Sequence, residues 1–183
     1  MVRMANPFET LGLAPAFAID PARLEQRQRE LNRAVHPDRH AGKSSAERRQ
    51  ALSRAMDINL AYRTLRDPAS RAVALLEVLD AGASDEAASS DLSLLGEMLE
   101  QRERLEESRR ERDLTRLHEL AAGMAQREQR VLGDLERAFG GVLGAAPDEV
   151  ERVLGLQEAR RLLSELRYVR RFSEEVSAIE DEF

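Results

Sequence analysis

Apolar positions recur along this chain at spacings of three and four, and the recurrence is broken by short polar clusters of the kind that start and stop helices. Asn6, Pro7 and Glu9 form a helix start, and Gly12 ends that first helix after little more than a turn. Asp20-Pro21 starts a second helix in which Leu24, Gln28, Leu31 and Val35 share one face. It must stop at His36-Pro37, since proline disfavours helical backbone in the residue before it, leaving a loop to about Lys43. Ser44 and Glu47 make a capping box for a third helix, with Ala51, Ala55, Ile58, Tyr62 and Leu65 on one side, reaching about Arg66. The second and third helices should form an antiparallel hairpin. Asp67-Pro68 opens a fourth helix with Ala72, Leu75, Leu76 and Leu79 apolar, ending before Gly82.

Residues 82–90 are small and polar without apolar periodicity, which predicts a linker between residues 1–81 and a second region, 91–183. Breaks near Arg110 to Asp113, at Gly140-Gly141 and at Pro147 divide that region into what reads as a three-helix bundle. In its last helix Ala159, Leu162, Leu166, Val169, Ser173 and Val176 trace an inward seam, and Tyr168, about 200° from Leu166, should be exposed. There is no strand-like alternation of useful length. With no Trp, two Tyr and five Phe among 183 residues, the composition also favours helix, so the expected class is all-α.

Hydrophobic residues at 42% and charged residues at 34% suit a folded chain. The net charge of −6 gives no overall basic field for nucleic acid. No Cys is present, which removes disulfides, thiolate ligands and cysteine nucleophiles. No apolar run approaches the roughly 18 residues of a membrane span, and the first twenty residues lack a signal-peptide core, so a cytoplasmic chain is expected. No Gly-rich phosphate loop, nucleophile motif or carboxylate pair in a recognisable context is present. The chain itself is therefore expected not to be an enzyme and to carry no cofactor.

The tripeptide His36-Pro37-Asp38, set between two helices, carries the strongest functional signal. Its surroundings resemble the J-domain family, co-chaperones that stimulate ATP hydrolysis by DnaK-type chaperones. The resemblance spans roughly residues 6–79, through Asn6-Pro7-Phe8 to Leu11-Gly12-Leu13, Val35-His36-Pro37-Asp38-Arg39, and Ile58-Asn59-Leu60-Ala61-Tyr62 leading to Leu65, Asp67-Pro68 and Arg71. Proline stiffens such a loop, so the polar groups of His36 and Asp38 are presented at little ordering cost. The resemblance implies that Asp38 engages an arginine of the chaperone's ATPase domain. The second helix would supply a basic face: Arg29 and Arg33 lie about 140° and 180° from Leu24, flanked by Arg23 and Arg27. Over residues 21–40 five arginines, Arg39 included, meet three acids, a net of +2 in an acidic chain. Charges so placed chiefly raise association rates and fix orientation. A solvated face without a partner is the plain alternative. A separate alternative makes His36, Asp38 and His40 ligands of a metal-dependent enzyme, though nothing marks a fourth ligand or an orienting shell.

The first helix of the second region has two apolar faces. Counting 100° per residue from Leu92, Leu94, Met98 and Leu105 fall near 200° to 240°, while Leu92, Leu95 and Leu99 fall between 300° and 0°. Glu103, Glu107 and Glu100 lie beside that second stripe. A leucine patch edged with acid suits a protein partner with a basic rim. Packing of the patch against the linker or the fourth helix fits the periodicity equally well. Here the run from Leu94 to Glu107 resembles the matching helix of the HscB-type J-domain co-chaperones of iron–sulfur cluster assembly, and Arg167-Tyr168 resembles the Arg-aromatic segment that ends that family's bundle. The resemblance implies that Leu92, Leu95, Leu99, Glu100, Glu103, Glu107 and Tyr168 bind the cluster scaffold IscU, and that the chaperone partner is HscA. Gly96, where the bacterial pattern has a larger apolar residue, and Tyr168, where it has phenylalanine, depart from it. A J-domain co-chaperone with a different client is the alternative function; a monomer is expected, with a dimer paired through the leucine patch as the alternative.

Overall fold

The computed structural model of the chain describes residues 6–36, 44–79, 92–144 and 148–183. Among them are seven helices and no strand, and the chain divides into two compact units, Met1–Gly82 and Ala83–Phe183.

The first unit is built from local stop and start chemistry. Helix α1 (Pro7–Leu11) is capped by Asn6, whose side chain accepts from the Phe8 amide at 3.0 Å. It ends at Gly12, where φ of 63° puts the backbone in the left-handed region that glycine enters without strain. A side chain there would also collide with Arg27, whose guanidinium lies 2.9 Å from the position of a Cβ. Helix α2 (Pro21–Ala34) is capped by Asp20, and α3 (Ser45–Arg66) by the full capping box of Ser44 and Glu47. Helix α4 (Pro68–Leu79) starts where the Asp67 carboxylate accepts from the Ser70 amide at 2.7 Å.

Helix α3 is the post of this unit, since α1, α2 and α4 all pack against it. It buries Ala51, Ile58, Ala61 and Leu65, alongside Phe8 and Leu11 of α1, Leu24 of α2, and Ala72, Ala74 and Leu75 of α4. Asn59 pins α2 to α3: its side-chain oxygen accepts from Gln28 and Asn32, each at 3.0 Å. Arg71 closes the other end. Its guanidinium donates to the carbonyls of Leu65 at 2.7 Å and Arg66 at 3.3 Å, which the end of α3 leaves unpartnered within the helix, and to that of Phe17 at 2.6 Å. It also stacks over the Phe17 ring, 5.4 Å from its centre. Burial pulls this guanidinium below its ordinary pKa, and the nearby Asp67 carboxylate partly offsets the effect.

The second unit holds α5 (Leu92–Glu111), α6 (Leu114–Leu143) and α7 (Glu149–Glu180). Helices α6 and α7 share the most extensive contact in the chain, and α5 packs on both. Leu117, Met124, Val131, Leu135, Phe139 and Val142 give α6 one continuous buried face, answered on α7 by residues from Leu156 to Ile179. The expected break at Gly140-Gly141 is absent: α6 runs through both glycines to Leu143. Two helical glycines cost about 1 kcal/mol each relative to alanine, but Phe139 and Val142 are buried on either side of them, so burial holds this last turn helical. Gly155 is required for another reason. A Cβ there would meet a Val142 methyl at 2.6 Å, so α6 and α7 can approach this closely only because the side chain is missing. The break near Arg110 to Asp113 is present, with Arg112 in the left-handed region at φ 53° and Asp113 capping α6 through the Arg116 amide. Pro147 and the 82–90 segment lie outside the described residues.

The seam of α7 differs from the sequence expectation at one place. Phe172 is buried where Ser173 was expected, and Ser173 is half-buried with its hydroxyl donating to the Val169 carbonyl at 3.0 Å. Phe172 joins Leu105, Leu117, Met124, Val169, Val176 and Ile179 in the cluster that unites the three helices.

Replacing Arg71 with alanine should lower the unfolding free energy by about 2–4 kcal/mol, because three carbonyls lose a charged donor. Arg71→Lys should recover only part of it, since one ammonium cannot reproduce the planar fork. Denaturant titration of the two variants checks both.

Candidate functional site

In the sequence His36-Pro37-Asp38 falls between two helix ends that the structure defines. Helix α2 closes at Ala34, with the Val35 amide donating to the Leu31 carbonyl at 3.3 Å, and α3 reopens at Ser44. His36 is exposed directly after α2. Pro37, Asp38, Arg39 and His40 lie outside the described residues. Among the described residues no group of three His, Cys, Asp or Glu gathers to hold a metal ion, and no helix is long and apolar enough to cross a membrane.

The arginines of α2 divide into two kinds. Arg23, Arg29 and Arg33 are exposed, and Arg29 is tied lightly to Glu25 at 2.9 Å along the helix. Arg27 is half-exposed and also serves the fold: its Nε donates to the Leu11 carbonyl at 2.9 Å and its Nη1 to Glu30 at 3.1 Å, closing the turn at Gly12. Hydrogen bonds from Gln26 and then Arg27 hold the Glu30 carboxyl below its usual pKa.

On α5 the two faces predicted from the sequence are present. Leu105 is fully buried and Leu94 and Met98 are half-buried, whereas Leu95 is 44% and Leu99 65% exposed. Glu100, Glu103 and Glu107 are exposed beside them. Glu100 pairs with Arg104 at 2.7 Å, and Glu107 lies 3.5 Å from Arg116. These pairs are half-exposed and therefore contribute little to stability. Gly96 opens to empty space, with nothing within 4 Å of where a Cβ would stand. The Leu92 side chain lies outside what the structure describes.

Tyr168 is half-buried, which corrects the expectation that it faces solvent. The angular argument from Leu166 placed it away from one seam, but the core face of α7 is wider than that seam. Tyr168 lies one turn before Phe172, the two ring centres 6.0 Å apart, and packs against the unifying cluster. Its hydroxyl donates to the Met98 carbonyl of α5 at 3.3 Å. Burial raises the phenol pKa above 10, with the positive charges of Arg127 and Arg102 opposing the rise. Thus Tyr168 supports the helix that bears the leucine patch from behind.

A second support has no local signature in the sequence. Arg127 of α6 reaches Glu165 of α7 at 2.7 Å and Glu97 of α5 at 3.0 Å, joining residues 30 to 70 positions apart. Burial by itself would lower the Arg127 pKa, but the hydrogen bonds and charges of Glu165 and Glu97 outweigh it and leave the guanidinium above its ordinary value. Glu165 is the one buried acid among the described residues of this unit, and it also accepts from Arg161 at 3.3 Å.

If the leucines of the patch are surface rather than packing, Leu95→Ala with Leu99→Ala should change unfolding free energy by no more than about 0.5 kcal/mol per site. Leu105→Ala, from the opposite face of the same helix, should cost about 2–5 kcal/mol. Chemical denaturation of the variants separates these outcomes.

Residues 90–177 match the family described as "HSCB C-terminal oligomerisation domain", and α5, α6 and most of α7 lie within that span. The chain is 32% identical over 177 residues to a co-chaperone protein HscB homolog of Shewanella loihica, covering 96% of this chain and 98% of that one. It is 28% identical over 181 residues to the homolog of Mannheimia succiniciproducens, with 97% of both chains covered. Its structure is similar to that of the chaperone HscB from Vibrio cholerae, with a TM-score of 0.73 at 28% identity over 97% of this chain and 98% of the other. The human co-chaperone HscB shares the fold at a TM-score of 0.78, with 22% identity over 100% of this chain and 84% of the human one. Sequence similarity along nearly the full length, the two-unit helical fold and the match across the bundle together place this chain in the HscB family of co-chaperones.

Proposed function

We propose that the protein is a non-enzymatic adaptor of iron–sulfur cluster biogenesis, in which 1–81 is the J-domain, 82–90 a linker and 91–183 the scaffold-binding bundle. The bundle binds the IscU scaffold, and the His36-Pro37-Asp38 loop stimulates ATP hydrolysis by the chaperone HscA to which the scaffold is delivered. This work belongs in the cytoplasm. The observation that supports it most is the exposed pair Leu95 and Leu99 on a helix whose other face is built into the bundle core. Those leucines are spare from folding and lie in the part of the chain that matches the family.

At the scaffold, Leu92, Leu95 and Leu99 supply apolar area while Glu100, Glu103 and Glu107 select a partner with basic groups around its contact. Gly96 adds no side-chain contact, and Tyr168 acts by holding Met98 rather than by broad contact of its own. At the chaperone, Asp38 meets an arginine of the ATPase domain. Arg23, Arg27, Arg29, Arg33 and Arg39 steer the approach, Arg27 while also holding the Leu11 carbonyl. The adaptor's effect comes from linkage, because holding client and chaperone on one chain raises the concentration each experiences of the other. The protein works as a monomer, since pairing through the leucine patch would compete with the scaffold. Solution mass with and without scaffold distinguishes the two.

Calorimetric titration with purified IscU scaffold should give saturable one-to-one binding, and no binding with both proteins folded would overturn the client assignment. Asp38→Asn should abolish ATPase stimulation while leaving scaffold affinity unchanged. Leu95→Ala with Leu99→Ala should weaken scaffold binding by about tenfold or more, the usual cost of losing central apolar contacts, and leave stimulation in the absence of scaffold intact.

A further inference from the structure

We infer that Arg127 is the positioning residue of the α5 leucine face, acting through Glu97 to fix the rotation at which Leu95 and Leu99 are presented. The inference rests on the reading that this face binds the scaffold.

The need for such a device follows from where α5 is anchored. Among its described residues Leu105 is the only fully buried apolar side chain. Leu95 and Leu99 lie roughly two to three turns before it, in the half of the helix where the inward residues Leu94 and Met98 are only half-buried. Apolar burial is therefore thinnest where the binding face is carried. The helix has a slippery choice there, since apolar residues lie on both of its sides and a rotation could exchange one set for the other.

Arg109 to Glu182 and Arg116 to Glu107 and Glu111 tie the C-terminal half of α5, and the ties nearer the leucines differ in quality. Arg102 to Glu175 spans 3.7 Å with 66% of the arginine side chain exposed, a pair that solvent and salt screen. Tyr168 grips a backbone carbonyl at 3.3 Å, which fixes the height of Met98 but tolerates turning about the helix axis. Arg127 joins all three helices of the bundle through ionic contacts. Its side chain is 17% exposed, its Nε is held by Glu165 at 2.7 Å, and Glu165, at 12%, is braced by Arg161. The planar guanidinium so fixed points Nη1 at Glu97, 3.0 Å away, so the tie is anchored at the arginine end while the Glu97 side chain itself is 53% exposed. Glu97 lies about 140° from Leu92 on the helix wheel, on the side away from Leu95 and Leu99, so holding it holds them outward.

Without the tie the N-terminal half of α5 would populate further rotations, and apparent affinity would fall with the fraction of time the leucines are presented. Glu97→Ala is the test because it cuts the tie to α5 while leaving the Arg127 and Glu165 pair in place. Calorimetry should show scaffold Kd rising about fivefold if presentation drops to about one fifth. Amide exchange should quicken over residues 94–100 and stay unchanged over 156–179, and ATPase stimulation without scaffold should not move. Combining Glu97→Ala with Arg127→Gln should weaken binding no more than Arg127→Gln alone. A weaker Kd with unchanged exchange would make Glu97 a direct scaffold contact and overturn the inference, as would unchanged exchange and affinity together. Should the unaltered protein bind no scaffold, the reading of the face fails, while the tie is still decided by exchange.

Discussion

The close apolar seam between α6 and α7 is the contact on which the second unit depends. It runs from Leu117 to Val142 on one helix and from Leu156 to Ile179 on the other, and at Gly155 a Val142 methyl packs where a side chain would stand. Because these two helices satisfy each other so fully, α5 is free to contribute little to the core. A helix that must bury a whole face to hold a domain together cannot also keep leucines at the surface. Here Leu105 enters the shared cluster and Leu95 and Leu99 stay out of it.

Charge is deployed locally and with opposite sign in the two units. The chain is acidic overall, yet α2 displays Arg23, Arg29 and Arg33, and α5 displays Glu100, Glu103 and Glu107. Attraction between exposed charges falls off within about 10 Å at ordinary salt, so each patch makes a local field. Arginines with almost the same sequence setting do quite different work. Arg29 and Arg33 face solvent, Arg27 caps a turn, Arg71 satisfies three carbonyls, and Arg127 joins three helices. The guanidinium's five donors in a fixed plane suit the roles of Arg27, Arg71 and Arg127 within the fold.

The departures from the family pattern at Gly96 and Tyr168 act in opposite directions on α5. Gly96 removes apolar area from the exposed face and loosens the helix by about 1 kcal/mol relative to alanine. Tyr168 adds a hydrogen bond from α7 to the Met98 carbonyl just two residues further on. The loss of intrinsic helix propensity at Gly96 is thus met by a tertiary anchor beside it.

Most of the fold was legible in the sequence because its signals are local. The caps at Asn6, Asp20 and Ser44, the prolines at first helical positions, and the three-and-four spacing of apolar residues act over one or two turns, and each helix they predicted is present. The double face of α5 was also readable, since a helix wheel needs no partner to be drawn. What periodicity could not decide was which face would be covered, because both stripes are equally apolar and only packing against α6 and α7 chooses between them. The same reason explains the misreadings. Gly140-Gly141 is helical because Phe139 and Val142 are buried against a neighbour, Tyr168 turns inward because the core face of α7 is broad, and Arg27 and Arg127 take their roles from residues far along the chain. Sequence determined where helices begin, end and turn an apolar side; tertiary structure decided which apolar sides and which charges are left over for a partner, since that depends on what the rest of the chain has already used.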